Sequence, residues 1–412
     1  MSAGEHSTFA ALAHRNFRLL WAGQFLSLVG TWMQSAAVLW HIATLVPQSD
    51  RALALGLVGL VKVVPIVVFA LIGGVLADAL DRRRLMFWMQ CLMAGSAAAQ
   101  AMITWQGLDS VWPIYALTAL NSAAAAFEGP ARQSLIPNLV PRATLSNAIN
   151  LNTMAFQLAA VSGPAIAGLS LSTLGPAGIY AINAASFLAA IAAVLALRDL
   201  PPRPPGETAG LNPAAAMEGL RFVFGSPLIR STMLVDFFAT FFSSAMALLP
   251  IFTQDILHQG SVAYGWLYSA PALGAALSSL ILVRVERHIV RRGRTLLIAV
   301  AAYGVATVAF GLAGSFWPMF LCLALTGAAD TVSMVLRNVM RQLATPDHLR
   351  GRMTSVNMIF FLGGPQLGEL EAGLLAHGLG ARASVVIGGV CSLITTAAIA
   401  RATPELRRYR RE

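Results

Sequence analysis

Eight ionisable residues stand inside stretches that are otherwise apolar: Lys62, Glu128, Arg132, Asp236, Asp330, Arg337, Glu369 and Glu371. A charge in such a place is costly, so by default it marks an ion pair, a gate or a proton relay. Glu128 and Arg132 are four residues apart with the acid first, the order that pairs on one helix face. That pair suits a structural gate and proton coupling equally. Arg337 and Arg341 repeat the four-residue spacing close to a chain reversal, from which long side chains can snorkel to a polar surface. Asp330 has Gly327 one turn before it and no Lys or Arg within a helical turn. A desolvated carboxylate without a partner favours its protonated form, so Asp330 is the first proton-coupling candidate. A hydrogen bond to Ser or Thr on a neighbouring helix is the structural alternative. Glu369 comes second, and Asp236 and Glu128 complete the set. Glu371, two residues from Glu369, faces another side of a helix. Asp236 is placed to pair with Arg132 or Lys62. Lys62 is the only lysine in the chain and is expected to find an interior partner.

Other residues could line a path for a small amphipathic molecule. Trp32, Gln34, Lys62, Asn121, Phe156, Phe241 and Phe361 are the cavity candidates. Packing is the alternative role for each aromatic, and adjacent phenylalanines such as Phe241 and Phe242, or Phe360 and Phe361, point to different sides. The stretch Gly74-Val-Leu-Ala-Asp78-Ala-Leu-Asp-Arg82-Arg83-Arg84 joins a small residue, an acid at a helix end and a basic turn. Together with Glu128, Arg132 and Arg337, its Gly74, Asp78, Arg82 and Arg83 are candidates for a cytoplasmic gate. Gly163-Pro164 with Gly168 gives a helix kink flanked by residues that permit close packing. Cys91, Cys322 and Cys391 lie in apolar stretches without pairing or metal spacing, so no disulfide, metal or cofactor is expected. A phosphate-binding loop is absent, which argues against ATP as the direct energy source.

The elements that position these residues follow from composition. Of 412 residues, 57% are hydrophobic and 11% are charged, where a soluble domain carries about 25% charged. So few charges cannot coat a water-soluble globule, which excludes a soluble enzyme, a disordered chain and a fibrous repeat. Membrane helices need about 20 apolar residues. Twelve segments qualify: Leu19–Val46, Leu53–Leu80, Leu85–Trp105, Val111–Leu135, Ile149–Leu174, Ala177–Leu197, Ile229–Phe252, Ala263–Val283, Thr295–Ala313, Phe316–Met340, Thr354–Ala376 and Ala383–Ala400.

The net charge of +10 is distributed unevenly. Alternate connections carry Arg82–Arg84, Arg142, Arg198 and Arg203, Arg287 to Arg294, Arg350 and Arg352, and Arg407 to Arg411. The others hold only Arg51 and Arg382, with Asp50, Asp109 and Asp255. The positive-inside rule places both termini in the cytoplasm. This placement uses up the basic excess, so nucleic acid is not an expected partner. The proline-rich run from Arg198 cannot continue a helix. The predicted organisation is a six-helix bundle at 1–197, a cytoplasmic linker at 198–227 with a short amphipathic helix, and a second six-helix bundle at 228–412. In that helix Met217, Leu220, Val223 and Phe224 form an apolar stripe suited to a membrane surface. The halves look related: one offset pairs Arg132 with Arg337, Pro141 with Pro346, Gly168 with Gly373 and Leu174-Gly175 with Leu379-Gly380. Such internal repeats mark secondary transporters.

The Gly74–Arg84 stretch resembles the motif between helices two and three of the major facilitator superfamily, with Asp81 where that motif usually has Gly. Gly163-Pro164 resembles the fifth-helix motif of exporters in that superfamily, with Ala159 and Ala167 at two positions that are usually Gly. Asn16-Phe17-Arg18, Trp21, Gly23-Gln24, Gly30-Thr31-Trp32-Met33-Gln34 and Pro130-Ala131-Arg132 resemble the branch of siderophore and macrolide exporters. The resemblance covers nearly the whole chain. It implies an all-α membrane protein with the major facilitator fold, in two pseudo-symmetric six-helix bundles. It further implies a non-enzymatic, monomeric exporter of a small amphipathic, siderophore- or drug-like compound. Such a protein sits in the bacterial inner membrane, works by alternating access, and has protons and lipid as its other partners. An importer or facilitator of a metabolite or lipid is the alternative, and a transporter-like receptor without flux is a third.

Overall fold

The computed structural model describes residues 9–79, 81–107, 110–198 and 213–411, with backbone alone for 70–79, 213–216, 219, 287, 348, 355 and 359. Helices account for nearly all of them. In order they are α1 (Arg15–Leu45), α2 (Arg51–Ala79), α3 (Arg82–Trp105), α4 (Val111–Leu135), α5 (Leu145–Leu195), α6 (Pro213–Gly225) and α7 (Pro227–Phe242). Then come a short α8 (Leu249–Ile251), α9 (Ser261–Val285), α10 (Arg292–Leu312), α11 (Phe316–Ala344), α12 (Arg350–Leu379), α13 (Ala381–Ala402) and α14 (Pro404–Arg408). The helix α5 is two helices end to end, because Gly175 adopts φ 62° and interrupts the backbone ladder. Counting its two arms, and α7 with its continuation to Ile256, the described residues hold the twelve helical runs read from the sequence. Seven of the runs are long and apolar enough to cross a membrane by length and composition alone, the Arg142–Leu195 run among them.

Local signals set the boundaries. Asp81 caps α3 by accepting from the amide of Arg84 at 3.0 Å, so the acid in the position of the usual glycine starts a helix rather than disturbing the turn. Ser226 and Pro227 open α7 as cap and first residue. The repeat is visible in the elements. Val111 and Phe316 open α4 and α11, Leu145 and Arg350 open α5 and α12, and the left-handed Gly175 and Gly380 end the corresponding runs. One constant offset relates all three pairs.

The surface is apolar where hydrocarbon must meet it. On α9, Leu277, Leu280, Ile281 and Val283 are all exposed, which a water-soluble monomer would not tolerate over a contiguous patch. Small residues let helices meet closely. Gly274 of α9 faces the backbone of Ala324, and Gly327 of α11 faces the backbone of Pro271; a Cβ on either glycine would overlap a carbonyl oxygen.

Two compact units form, Met1–His41 with Val64–Leu211 and Ile42–Val63 with Asn212–Glu412. The tip of the α1–α2 hairpin therefore belongs to the second unit, although the sequence reading places it in the first bundle. The proline-rich linker reading falls at 199–212, outside the described residues. The expected short helix after it is present as α6. Its Val223 is buried with Ile229, Met233, Met353 and Val356, and Leu220 packs against that cluster. Half of the stripe read as lipid-facing is thus covered by α7 and α12, while Met217 and Phe224 stay exposed.

The close α9–α11 crossing yields a prediction. Gly327→Val forces the two backbones apart and should sharply lower the melting temperature and folded yield of the purified protein. Gly95→Ala, where a Cβ meets nothing within 4 Å, should be neutral or stabilise by up to about 1 kcal/mol through helix propensity.

Candidate functional site

In the first unit the polar side chains knit helices together. Gln34 of α1 donates to Gln100 of α3 at 2.5 Å. Gln100 donates in turn to Thr118 of α4 at 3.2 Å and to the Ile114 carbonyl at 3.3 Å. Asn183 of α5 donates to the Gln34 carbonyl oxygen and accepts from Ser186. Gln34, Gln100, Thr118 and Asn183 are all buried. Gln34, a cavity candidate from sequence, is therefore spent on a closed amide network inside the unit. Sequence reasoning missed its partners because they lie on three other helices. Trp32 does stand against Phe156, ring edge to face at 5.8 Å, and Phe156 is exposed beside it. Asn121 is half-buried on α4.

The basic end of the Gly74–Arg84 stretch works as a set of helix caps. Arg82 donates to the Ser134 carbonyl at 3.1 Å, in the last turn of α4. Arg83 donates to the carbonyls of Val194 at 3.0 Å and Leu195 at 2.7 Å, where α5 ends. Arg15 reaches Ala196 O at 3.1 Å and Asn16 reaches Arg198 O at 2.7 Å. Cations at a helix C-terminus satisfy orphan carbonyls and complement the helix dipole. The Gly74 and Asp78 side chains lie outside the described set. Glu128 and Arg132 pair as the spacing predicts, at 3.3 Å and half-buried or better. Gly163 and Pro164 are both buried mid-helix, Gly163 against α1 at Trp32, and Gly168 is buried one turn further on.

The second unit concentrates buried charge. Arg337 of α11 forms an ion pair with Asp236 of α7 at 2.8 Å and donates to Asp330 at 3.4 Å. The Arg337 and Asp236 side chains are 2% and 4% exposed, whereas that of Asp330 is 40% exposed. Three expectations need correction here. Asp330 does have a cation, two turns along its own helix, because an arginine side chain leans back towards the helix N-terminus and spans that distance. Asp236 pairs with Arg337, and neither Arg132 nor Lys62 is its ion-pair partner. Arg337 and Arg341 do not snorkel, since both are buried. Arg341 is held instead by Asn357 of α12 and by Asn338 at 2.6 Å.

A second charged feature joins α2 to α12. Gly56 faces Gly373, and Gly59 lies over Gln366 and Glu369, so the two backbones run in direct contact. Beneath Gly59, Glu369 is buried, with Lys62 the nearby cation that acts on it. The same end is fastened by Arg51, which donates to both oxygens of Asp255 at 2.9 and 3.1 Å. His377 meets Ser49 O at 3.0 Å. Arg51 and Asp255 were visible in the sequence only as charges in the arginine-poor connections. Glu371 is half-buried and forms no ion pair within 4 Å among the described residues. Around α7 an aromatic cluster gathers: Phe237 stacks on Phe241 at 5.7 Å and meets Phe360 edge-on at 5.9 Å. Phe360 also meets Phe224 of α6. Phe241 is thus a member of a cluster whose α12 residue is Phe360, and Phe361 is exposed.

Comparison with known proteins adds to this geometry. A family model described as transmembrane secretion effector matches residues 6–410. The chain is 30% identical over 351 residues to the multidrug efflux pump Tap of Mycolicibacterium fortuitum, covering 82% of this chain and 84% of that one. It is 28% identical over 407 residues to the enterobactin exporter EntS of Escherichia coli O1:K1, covering 96% and 94%. A solved bacterial homologue of the human lysosomal transporter Spinster matches with a TM-score of 0.73 at 16% identity, over 95% of this chain and 98% of that one. A POT family transporter in complex with 5-aminolevulinic acid matches at 0.75 and 12% identity, over 95% and 96%. At those identities the likeness is one of fold.

The Asp236–Arg337 pair yields the second prediction. Asp236→Asn and Arg337→Gln should each destabilise by about 3–5 kcal/mol, because each strands a buried charge. The double variant should be milder than the sum. Melting curves of the four proteins close the cycle, and additive effects would show that the two side chains do not interact.

Proposed function

The chain belongs to the transmembrane secretion effector family of the major facilitator superfamily, and from that premise we propose that it exports a small amphipathic compound driven by proton entry. It is a multi-pass membrane transporter with the major facilitator fold, a secondary exporter of small compounds and not an enzyme. The substrate class is suggested by the relatives, a multidrug efflux pump and an enterobactin exporter, and the Trp32–Phe156 pair and the Phe237–Phe241–Phe360 cluster are aromatic surfaces of the kind an amphipathic compound stacks on. The arginine-rich connections support a bacterial inner-membrane location with both termini in the cytoplasm. The gate and cavity roles of the residues named above, and a monomeric state, belong to the same reading.

One observation carries the proton-coupled reading: Asp330 shares Arg337 with a second, more deeply buried carboxylate. When Asp330 takes a proton, Arg337 keeps Asp236 at 2.8 Å, so no cation is left bare in a low-dielectric site. Protonating Glu128 would strand Arg132, and protonating Glu369 would strand Lys62, each at the cost of an unpaired buried charge. Protonating Asp236 would leave Arg337 only the longer contact to Asp330. Asp330 is also the most accessible acid of the cluster, as a proton relay requires. Glu371, without an ion-pair partner among the described residues, is the second acid that meets the charge criterion, and it ranks below Asp330 because no described cation is paired with it to drive its proton off again.

Proteoliposomes with an imposed pH gradient test this, with ethidium and a tris-catecholate siderophore as probes. Wild-type protein should concentrate at least one probe against its gradient. Asp330→Asn, fixed in the neutral form, should lose uphill transport driven by the pH gradient. It should keep downhill counterflow. Glu369→Gln and Glu371→Gln should do less. Uphill transport by Asp330→Asn with unchanged pH dependence would remove Asp330 as carrier. Equal rates with and without the gradient in the wild type would favour a facilitator.

A further inference from the structure

We propose that the docked C-terminal tail and the start of α10 together form a binding site for anionic phospholipid headgroups, with the doubly charged headgroup of cardiolipin as the best fit. The tail does not hang free. Gly293 N donates to Tyr409 O at 3.2 Å, and Arg411 N donates to Val290 O at 2.8 Å. Just before the bonded residues Leu406 is wholly buried in a cluster with Leu296, Val300, Val235 and Met340. Gly293 permits the contact, because a Cβ there would overlap the Leu406 carbonyl oxygen.

This docking sets Arg407, Arg408, Arg410 and Arg411 beside Arg291 and Arg294, and all six are exposed. Of the acids close by in the chain, Glu286 is taken by Arg292 at 2.7 Å, which leaves Glu405 and Glu412 against six arginines. Arg291, Arg294, Arg407, Arg408 and Arg410 form no ion pair within 4 Å among the described residues. Like charges fixed side by side repel, and an anion relieves that cost. The anion's source is set by position. Two apolar spans, Arg292–Leu312 and Ala381–Ala402, begin and end at this corner, so the cluster stands at the level of lipid phosphates. Guanidinium groups suit phosphate through paired hydrogen bonds, and each basic residue near an anionic surface contributes about 1 kcal/mol. Tyr409 adds an amphipathic ring of the kind favoured at membrane interfaces.

The full chain, purified in detergent, is titrated with cardiolipin, and in separate arms with phosphatidylethanolamine and with inorganic phosphate. Lipid adducts are counted by native mass spectrometry. Wild-type protein should bind cardiolipin in clear preference to phosphatidylethanolamine, and millimolar phosphate should not displace it. The triple substitution R407Q/R408Q/R410Q should weaken cardiolipin binding on the order of a hundredfold, with the lipid-free melting temperature unchanged. Gly293→Ala keeps every charge but unseats the tail, and it too should lose affinity. Wild-type affinity in the triple variant would overturn the proposal, as would equal binding of the two lipids. Full displacement by inorganic phosphate would make it a phosphate site instead. Undiminished binding by Gly293→Ala would show that charge alone, and not the docked tail, attracts the lipid.

Discussion

In hydrocarbon no water is available to complete a hydrogen bond or screen a charge, so each polar group must be satisfied by the chain itself. That constraint explains why nearly every described residue is helical, since a helix closes its own backbone bonds. It also explains the ends of the helices, where Arg15, Asn16, Arg82 and Arg83 are spent on carbonyls that a helix cannot satisfy internally. Small residues follow from the same condition. Lipid gives helices little reason to associate by burying apolar surface, so contact has to come from close backbone approach at Gly56, Gly274, Gly327 and Gly373.

The constraint acts on charge as strongly as on backbone. Each deeply buried ionic side chain in the second unit has a nearby group of opposite sign or a polar side chain to meet it, and those partners define the arrangement of α7, α11 and α12. Within this economy the sharing of one guanidinium by two carboxylates stands apart. A simple pair is balanced in one protonation state, while a shared cation tolerates two. That tolerance is the physical requirement for a group that must gain and lose a proton without the surrounding helices coming apart.

The architecture was open to reading because its signals are local. Hydropathy marks the twelve runs, Leu174-Gly175 marks the break inside α5, and the repeated spacing of Arg, Pro and Gly marks the duplication. The candidate site was legible only where partners share a helix, as for Glu128 and Arg132. Asp236 and Arg337 lie on different helices and far apart in the chain, so no spacing rule joins them. Asp330 looked unpartnered because a one-turn window misses an arginine two turns away. Gln34 looked like a cavity residue because an amide that faces a cavity and an amide that faces other amides have the same sequence context. The hairpin tip at Ile42–Val63 escaped for a similar reason, as glycines show that something packs closely without saying what.

The two units differ in the kind of polar interior they have. At the heart of the first are amides and hydroxyls, Gln34, Gln100, Thr118 and Asn183, whose charge is the same in acid and in alkali. At the heart of the second are carboxylates and guanidinium groups. The repeat sharpens the contrast, because Asp330 corresponds to Ala125 and Glu369 to Pro164. The two copies of the repeat have therefore diverged in their polar interiors, although the first keeps one ion pair, Glu128 with Arg132, whose arginine matches Arg337.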